Sequence, residues 1–153
     1  MLVLTRQGLP IFDRNKMASA EELYKGGYIL SKEKGGTADI ILMASGSEVS
    51  LIVEAQESLT QENIDARVVS MPCWELFLEQ PQEYHDQVIP PEVKARLAVE
   101  MGVPQGWHQW VGDGGDIIGI TTFGASAPAS ENFKQYGFTV ENVVQRAKKL
   151  VGK

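Results

Sequence analysis

Ile40-Ile41-Leu42-Met43-Ala44-Ser45-Gly46-Ser47-Glu48 is the stretch that decides the fold class. Its apolar residues run on without alternation, the pattern of a strand covered on both faces rather than one with a wet side. Ser45-Gly46-Ser47 then supplies a tight turn. Ser47 is placed to cap a helix, and Glu48 suits the first turn, where a negative charge meets the positive end of the helix dipole. Val49, Ile52, Val53 and Leu59 follow at helical spacing and give that helix one apolar stripe.

The alternation continues outward on both sides. Ala66-Arg67-Val68-Val69 reads as the next strand, ended by Pro72, and Leu97-Ala98-Val99 as another. Ile117-Ile118-Gly119-Ile120 makes a fourth core strand, and Tyr28-Ile29-Leu30 fits an edge strand. Two helices close the chain. One follows Pro128, whose fixed φ suits a first helical turn, and stops at Gly137 in a left-handed cap. The other starts at Thr139 and sets Val140, Val143, Val144, Ala147, Leu150 and Val151 on one side. Strand and helix in alternation imply an α/β fold of three layers: a mostly parallel five-stranded sheet with helices on both faces. At the other end, Leu2 to Leu4 is a brief apolar run broken at Gly8 and Pro10, the end of a strand whose sheet lies outside this chain. Residues 11–25 are polar and irregular, as in a linker.

Composition narrows the classes. The chain has 153 residues, 43% hydrophobic and 22% charged, the balance of one ordinary globular domain. A net charge of −6 repels phosphate backbones, so nucleic acid is not an expected partner. No apolar run approaches the length of a membrane span. Met1-Leu2-Val3-Leu4 is followed at once by Thr5-Arg6-Gln7-Gly8, which does not match a signal peptide. Cys73 is the only cysteine, so an internal disulfide and a thiol zinc cluster are excluded, and a reduced cytoplasmic setting is expected.

Four features resemble active-site motifs. Gly112-Asp113-Gly114, with Asn142 later, imitates a motif in which Asp and Asn hold a divalent metal on thiamine diphosphate. That chemistry needs the acid at the end of a buried strand, whereas Gly106-Trp107-His108-Gln109-Trp110 precedes it and is not strand-like. Gly124-Ala125-Ser126-Ala127-Pro128 is one residue short of a nucleophile elbow, and both histidines, His85 and His108, precede Ser126, against the order of such hydrolases. Ser126 is therefore read as a helix cap, with a serine hydrolase centred on it as the competing enzyme reading. The turn at Gly46 stands where doubly wound sheets hold phosphate at a helix start. It lacks the repeated glycines, and Glu48 would repel an anion, so a stand-alone small-molecule module there is the weaker alternative. His85 and His108 have no Cys or His at metal-ligand spacing, which favours packing or surface roles. No complete active site emerges from these residues.

In order along the chain, Leu4-Thr5-Arg6-Gln7-Gly8-Leu9-Pro10, Lys25-Gly26-Gly27-Tyr28-Ile29-Leu30, Ile40 to Ser50, Ala66 to Pro72, Phe123 to Pro128 and Tyr136-Gly137-Phe138-Thr139 resemble the blocks of the transketolase family. The resemblance runs from residue 2 to about residue 150. It implies the end of a pyrimidine-binding domain at 1–12, a linker at 13–25 and the carboxy-terminal domain at 26–153. Such a parent moves a two-carbon ketol unit between sugar phosphates with thiamine diphosphate and a divalent metal, magnesium or calcium. Its active sites form between the first two domains of opposite subunits in a homodimer. The implied partners are therefore the other domains of the same polypeptide, a second subunit and sugar phosphates. No cofactor or metal ligand is implied in these residues, and the isolated domain is expected to be inactive. One site residue carries over: Arg6 matches the family arginine that contacts the substrate phosphate, for which a planar guanidinium fork is well suited.

Overall fold

The computed structural model describes residues 3–5 and 7–153. A 3₁₀ turn (Ala20–Lys25) leads into β1 (Tyr28–Ser31), β2 (Ile40–Ala44), α1 (Glu48–Gln61), β3 (Ala66–Ser70), α2 (Trp74–Leu78), α3 (Gln82–Val88), β4 (Arg96–Val99), α4 (His108–Val111), β5 (Asp116–Ile118), α5 (Ala129–Gln135) and α6 (Val140–Leu150). The sheet order is β1-β3-β2-β4-β5. β3, β2, β4 and β5 run parallel, and β1 lies antiparallel on β3 at one edge. The expected five-stranded, mostly parallel sheet is what forms.

The continuous apolar runs are explained by two cores. Ile40, Leu42, Ala44, Val68, Leu97 and Val99 face a cluster with Ile52, Leu59, Val143 and Ala147 from α1 and α6. Ile41, Met43, Val69 and Ala98 point the other way, to Phe77, Val88, Trp107 and Val111 from the α2–α4 layer. Each strand thus feeds both layers by simple alternation of its side chains. Each fully buried Leu, Ile or Phe contributes roughly 1.5–3 kcal/mol relative to exposure.

Helix ends follow the expected rules in part. Thr139 accepts from the Asn142 backbone N–H at 3.3 Å and caps α6. After α5, Gly137 adopts φ +79° while the Phe138 N–H reaches the Phe133 carbonyl at 2.8 Å, the left-handed stop expected there. Ser47 occupies the N-cap position of α1 without making the side-chain bond, because its hydroxyl turns to the Glu48 carboxylate instead. α5 starts one residue beyond Pro128, which itself holds the N-cap position.

A buried ion pair lies on the second face. Arg67 in β3 grips Glu33 with both ends of its fork, Nε at 2.7 Å and Nη2 at 2.5 Å, with side chains only 9% and 6% exposed. Nη1 also donates to the Gln87 carbonyl at the end of α3. Residues 11–25 are fastened as well. Phe12, Met17 and Ala18 pack against the α1/α6 cluster, and the Ala18 N–H donates to the Leu30 carbonyl. A Cβ on Gly26, at φ +80°, would lie 2.3 Å from the Cys73 carbonyl oxygen, so only glycine lets this segment approach α2.

Candidate functional site

The strand order reverses between β2 and β4, and in open parallel sheets that is where ligands gather, beyond the carboxyl ends of the strands. The β2–α1 turn and the residues after β4 form this crevice. The Ser45 hydroxyl donates to Glu100 Oε2 at 2.6 Å across it. Glu48, only 4% exposed, accepts from the Ser47 hydroxyl and, at 3.4 Å, from the Met101 N–H. Burial pushes the Glu100 carboxyl up; the Ser45 hydrogen bond opposes this and the nearby Glu48 charge reinforces it. A groove of about 450 Å³ opens beside the pair, lined by Ser45, Cys73, Trp74, Glu100 and Trp107 among others.

This arrangement disfavours phosphate. The helix start that would receive an anion is filled by the chain's own Glu48, and Glu100 adds a second carboxyl. Glu100 was not singled out in the sequence. Its signal is its place directly after the buried Leu97-Ala98-Val99 run, at the carboxyl end of a parallel strand.

The other motif-like residues scatter. Asp113 is exposed in the turn after α4, while the Asn142 side chain donates to the Gly137 carbonyl at 2.7 Å. An exposed carboxylate and an amide spent on a helix start do not fit a metal held on a diphosphate. Ser126 sits in an exposed loop, and the helix behind it is capped at Pro128, not at Ser126. That corrects the cap reading. Asn132 supplies the local bonds in its place, its amide donating to the carbonyls of Ala125 and Ala127, so the loop is held without the serine. His85 Nε2 lies 2.6 Å from the Phe77 carbonyl, and His108 is exposed on α4. Both belong to the α2–α4 layer, whereas α5 packs through Phe133 on the opposite cluster.

Arg6, the residue assigned to a substrate phosphate, lies outside the described residues, as does Leu2. Around it, Val3, Leu4 and Leu9 are exposed, and Val3 to Thr5 join none of the five strands.

Comparison with known proteins covers nearly the whole chain. Residues 26–139 match the family model described as the transketolase-like TK C-terminal domain. A transketolase of Geobacillus stearothermophilus is 49% identical over 152 residues, which are 99% of this chain and 23% of that protein. A transketolase of Bacillus subtilis (strain 168) is 50% identical over the same shares. The chain thus spans about a quarter of the length of the curated relatives it matches. Among solved structures, a Pichia stipitis transketolase in complex with sedoheptulose-7-phosphate superposes with a TM-score of 0.85 at 41% identity, covering 96% of this chain and 20% of that one.

Proposed function

The chain belongs to the family of transketolase-like C-terminal domains, and on that premise we propose that it is the non-catalytic carboxy-terminal domain of a larger transferase. The parent moves a two-carbon ketol unit between sugar phosphates in the cytoplasm, as a homodimer. Thiamine diphosphate with a divalent metal supplies the carbanion chemistry there, and it is held by domains that precede this one. The observation that carries the reading is the end-to-end match, at half identity, to proteins of about four times the length. The exposed Asp113 and the engaged Asn142 support it further, since they offer no alternative cofactor site. No helix among the described residues is long and apolar enough to cross a membrane.

Arg6 belongs to the preceding domain in this reading and binds the phosphate of the sugar. A charge-assisted hydrogen bond contributes on the order of 1.5–3 kcal/mol, or roughly ten- to hundred-fold in binding. In the parent, Arg6→Ala therefore weakens phosphorylated sugars by that factor and leaves hydroxypyruvate nearly unchanged, as steady-state kinetics with both substrates will read. Arg6→Lys recovers part, because an ammonium keeps the charge but not the fork. Equal losses for both substrates would show that Arg6 holds structure. A native polypeptide no longer than this chain would defeat the whole assignment.

A further inference from the structure

Thr121 to Glu131 is the longest uncovered stretch beyond the amino-terminal segment, with every residue exposed and Phe123 at 98%. It carries a single charge, Glu131, beside Phe123, Ala125, Ala127, Pro128 and Ala129. Solvated loops rarely hold a large apolar side chain fixed in water. Here three side-chain hydrogen bonds tie the backbone. The Tyr136 hydroxyl donates to the Phe123 carbonyl at 3.0 Å, and the Asn132 amide holds the carbonyls of Ala125 at 3.1 Å and Ala127 at 3.3 Å. α5 then runs only seven residues and buries none of them fully. A helix that short draws its stability from packing, and its outer side has none within this chain.

We propose that Thr121–Glu131 is a docking surface for the preceding domains of the parent polypeptide, with Phe123 as its anchor. The inference rests on the reading that this chain is the carboxy-terminal part of a longer transferase. An ordered backbone presenting one aromatic has already met the entropic cost of fixing the loop, which is how central interface anchors gain their effect. The occupant follows from length and charge. Relatives matched across 99% of this chain hold it as 23% of their sequence, and the matched family model is a C-terminal domain, so the uncounted partner surface precedes it in the same polypeptide. A second copy of this chain fits less well, because each whole chain carries a net charge of −6 and like-charged chains repel as they approach.

The test is deuterium exchange over residues 121–131 in this 153-residue chain and in the full-length parent. Burying one aromatic anchor should slow exchange there by at least about tenfold in the parent. Phe123→Ser should abolish the difference while leaving exchange and thermal midpoint of the isolated chain unchanged. Phe123→Leu, which keeps an apolar anchor, should retain most of the protection, so a parent destabilised by the serine still leaves a readable variant. Equal exchange in a longer parent would overturn the docking alone, whereas a native polypeptide of only this size would remove the reading beneath it. A dimer of the isolated chain that Phe123→Ser dissolves would assign the surface to a second copy and overturn the proposal. So would protection that disappears when the parent's subunits are separated.

Discussion

The Ser45–Glu48 turn and the Thr121–Glu131 stretch both follow parallel strands, β2 and β5, yet they differ in what their side chains meet. In the first, each polar side chain finds a partner inside the chain: Ser45 on Glu100, Ser47 on Glu48, Glu48 on the Met101 N–H. In the second, the backbone is pinned by Asn132 and Tyr136 while the apolar side chains are left in water. The difference separates two uses of a conspicuous motif. Groups consumed within the chain hold the fold, and groups that are ordered but unclaimed address something outside it. The glycine turn therefore loses its attraction as a phosphate site, and the near-elbow gains meaning as a surface.

Self-closure is most complete at Arg67 and Glu33, so the largest expected effect is there. Arg67→Met leaves Glu33 buried without its cation and should cost about 3–5 kcal/mol in urea denaturation. Adding Glu33→Leu should recover most of the loss, because the second change removes the stranded charge. The Arg67 hydrogen bond holds the Glu33 carboxyl below its ordinary 4.5, against the opposing effect of burial. Stability from the pair is thus present above that ordinary value and lost as pH falls through the depressed one. The double variant should lack this acid-side loss. A cost below about 1 kcal/mol for Arg67→Met would place the pair with ordinary surface bridges and blur the contrast between the closed interior and the open rim.

The parallel core was legible because it is written in long apolar runs. Ile40 to Ala44, Ala66 to Val69 and Leu97 to Val99 each lie within or coincide with an observed strand. Tyr28 to Leu30 proved to be the edge strand, antiparallel on β3. The last strand shifted: Asp116–Ile118 forms β5 where Ile117 to Ile120 was expected. Asp116 pairs with Leu97 at its start, and the Ile120 N–H turns to the Gly102 carbonyl instead of the ladder. The three short helices that cover the second face carry little periodic signal of their own. Segments of four to seven residues such as His108–Val111 or Gln82–Val88 are too brief to show a helical period. Side-chain pairs across the crevice were invisible for another reason. Ser45 and Glu100 are 55 positions apart, and only the sheet order brings them together.

Glu100 tests whether closure of the crevice stores cost as well as order. Its carboxyl is pushed above the ordinary 4.5, chiefly by burial. The folded chain therefore binds that proton more tightly than the unfolded one, and stability falls as pH rises from the ordinary value through the raised one. Glu100→Gln keeps an acceptor for the Ser45 hydroxyl and removes the charge beside Glu48. It should make the chain more stable at pH 7, by less than Arg67→Met destabilises it, with the gain vanishing below the ordinary carboxylate range. Urea midpoints at pH 7 and pH 3 give the comparison. A less stable variant at pH 7 would mean that the Glu100 carboxylate has a compensating donor, and that the crevice is built to hold charge.

The smallest effect belongs to Ser126, and it bears on the open side of the contrast. If the loop is held by Asn132 and Tyr136, its serine hydroxyl has no structural task. Pro128 occupies the cap position, and the bonds from Asn132 reach the carbonyls of Ala125 and Ala127, on either side of Ser126. Ser126→Ala should then change stability by no more than about 0.5 kcal/mol, as for an ordinary surface position. Thr139→Ala is the control, because Thr139 does cap α6, and removing such a cap costs typically about 1 kcal/mol. Measured side by side in urea, the two substitutions should separate cleanly. A loss at Ser126 equal to that at Thr139 would tie the hydroxyl into the loop and make the serine, with Asn132, part of what presents Phe123.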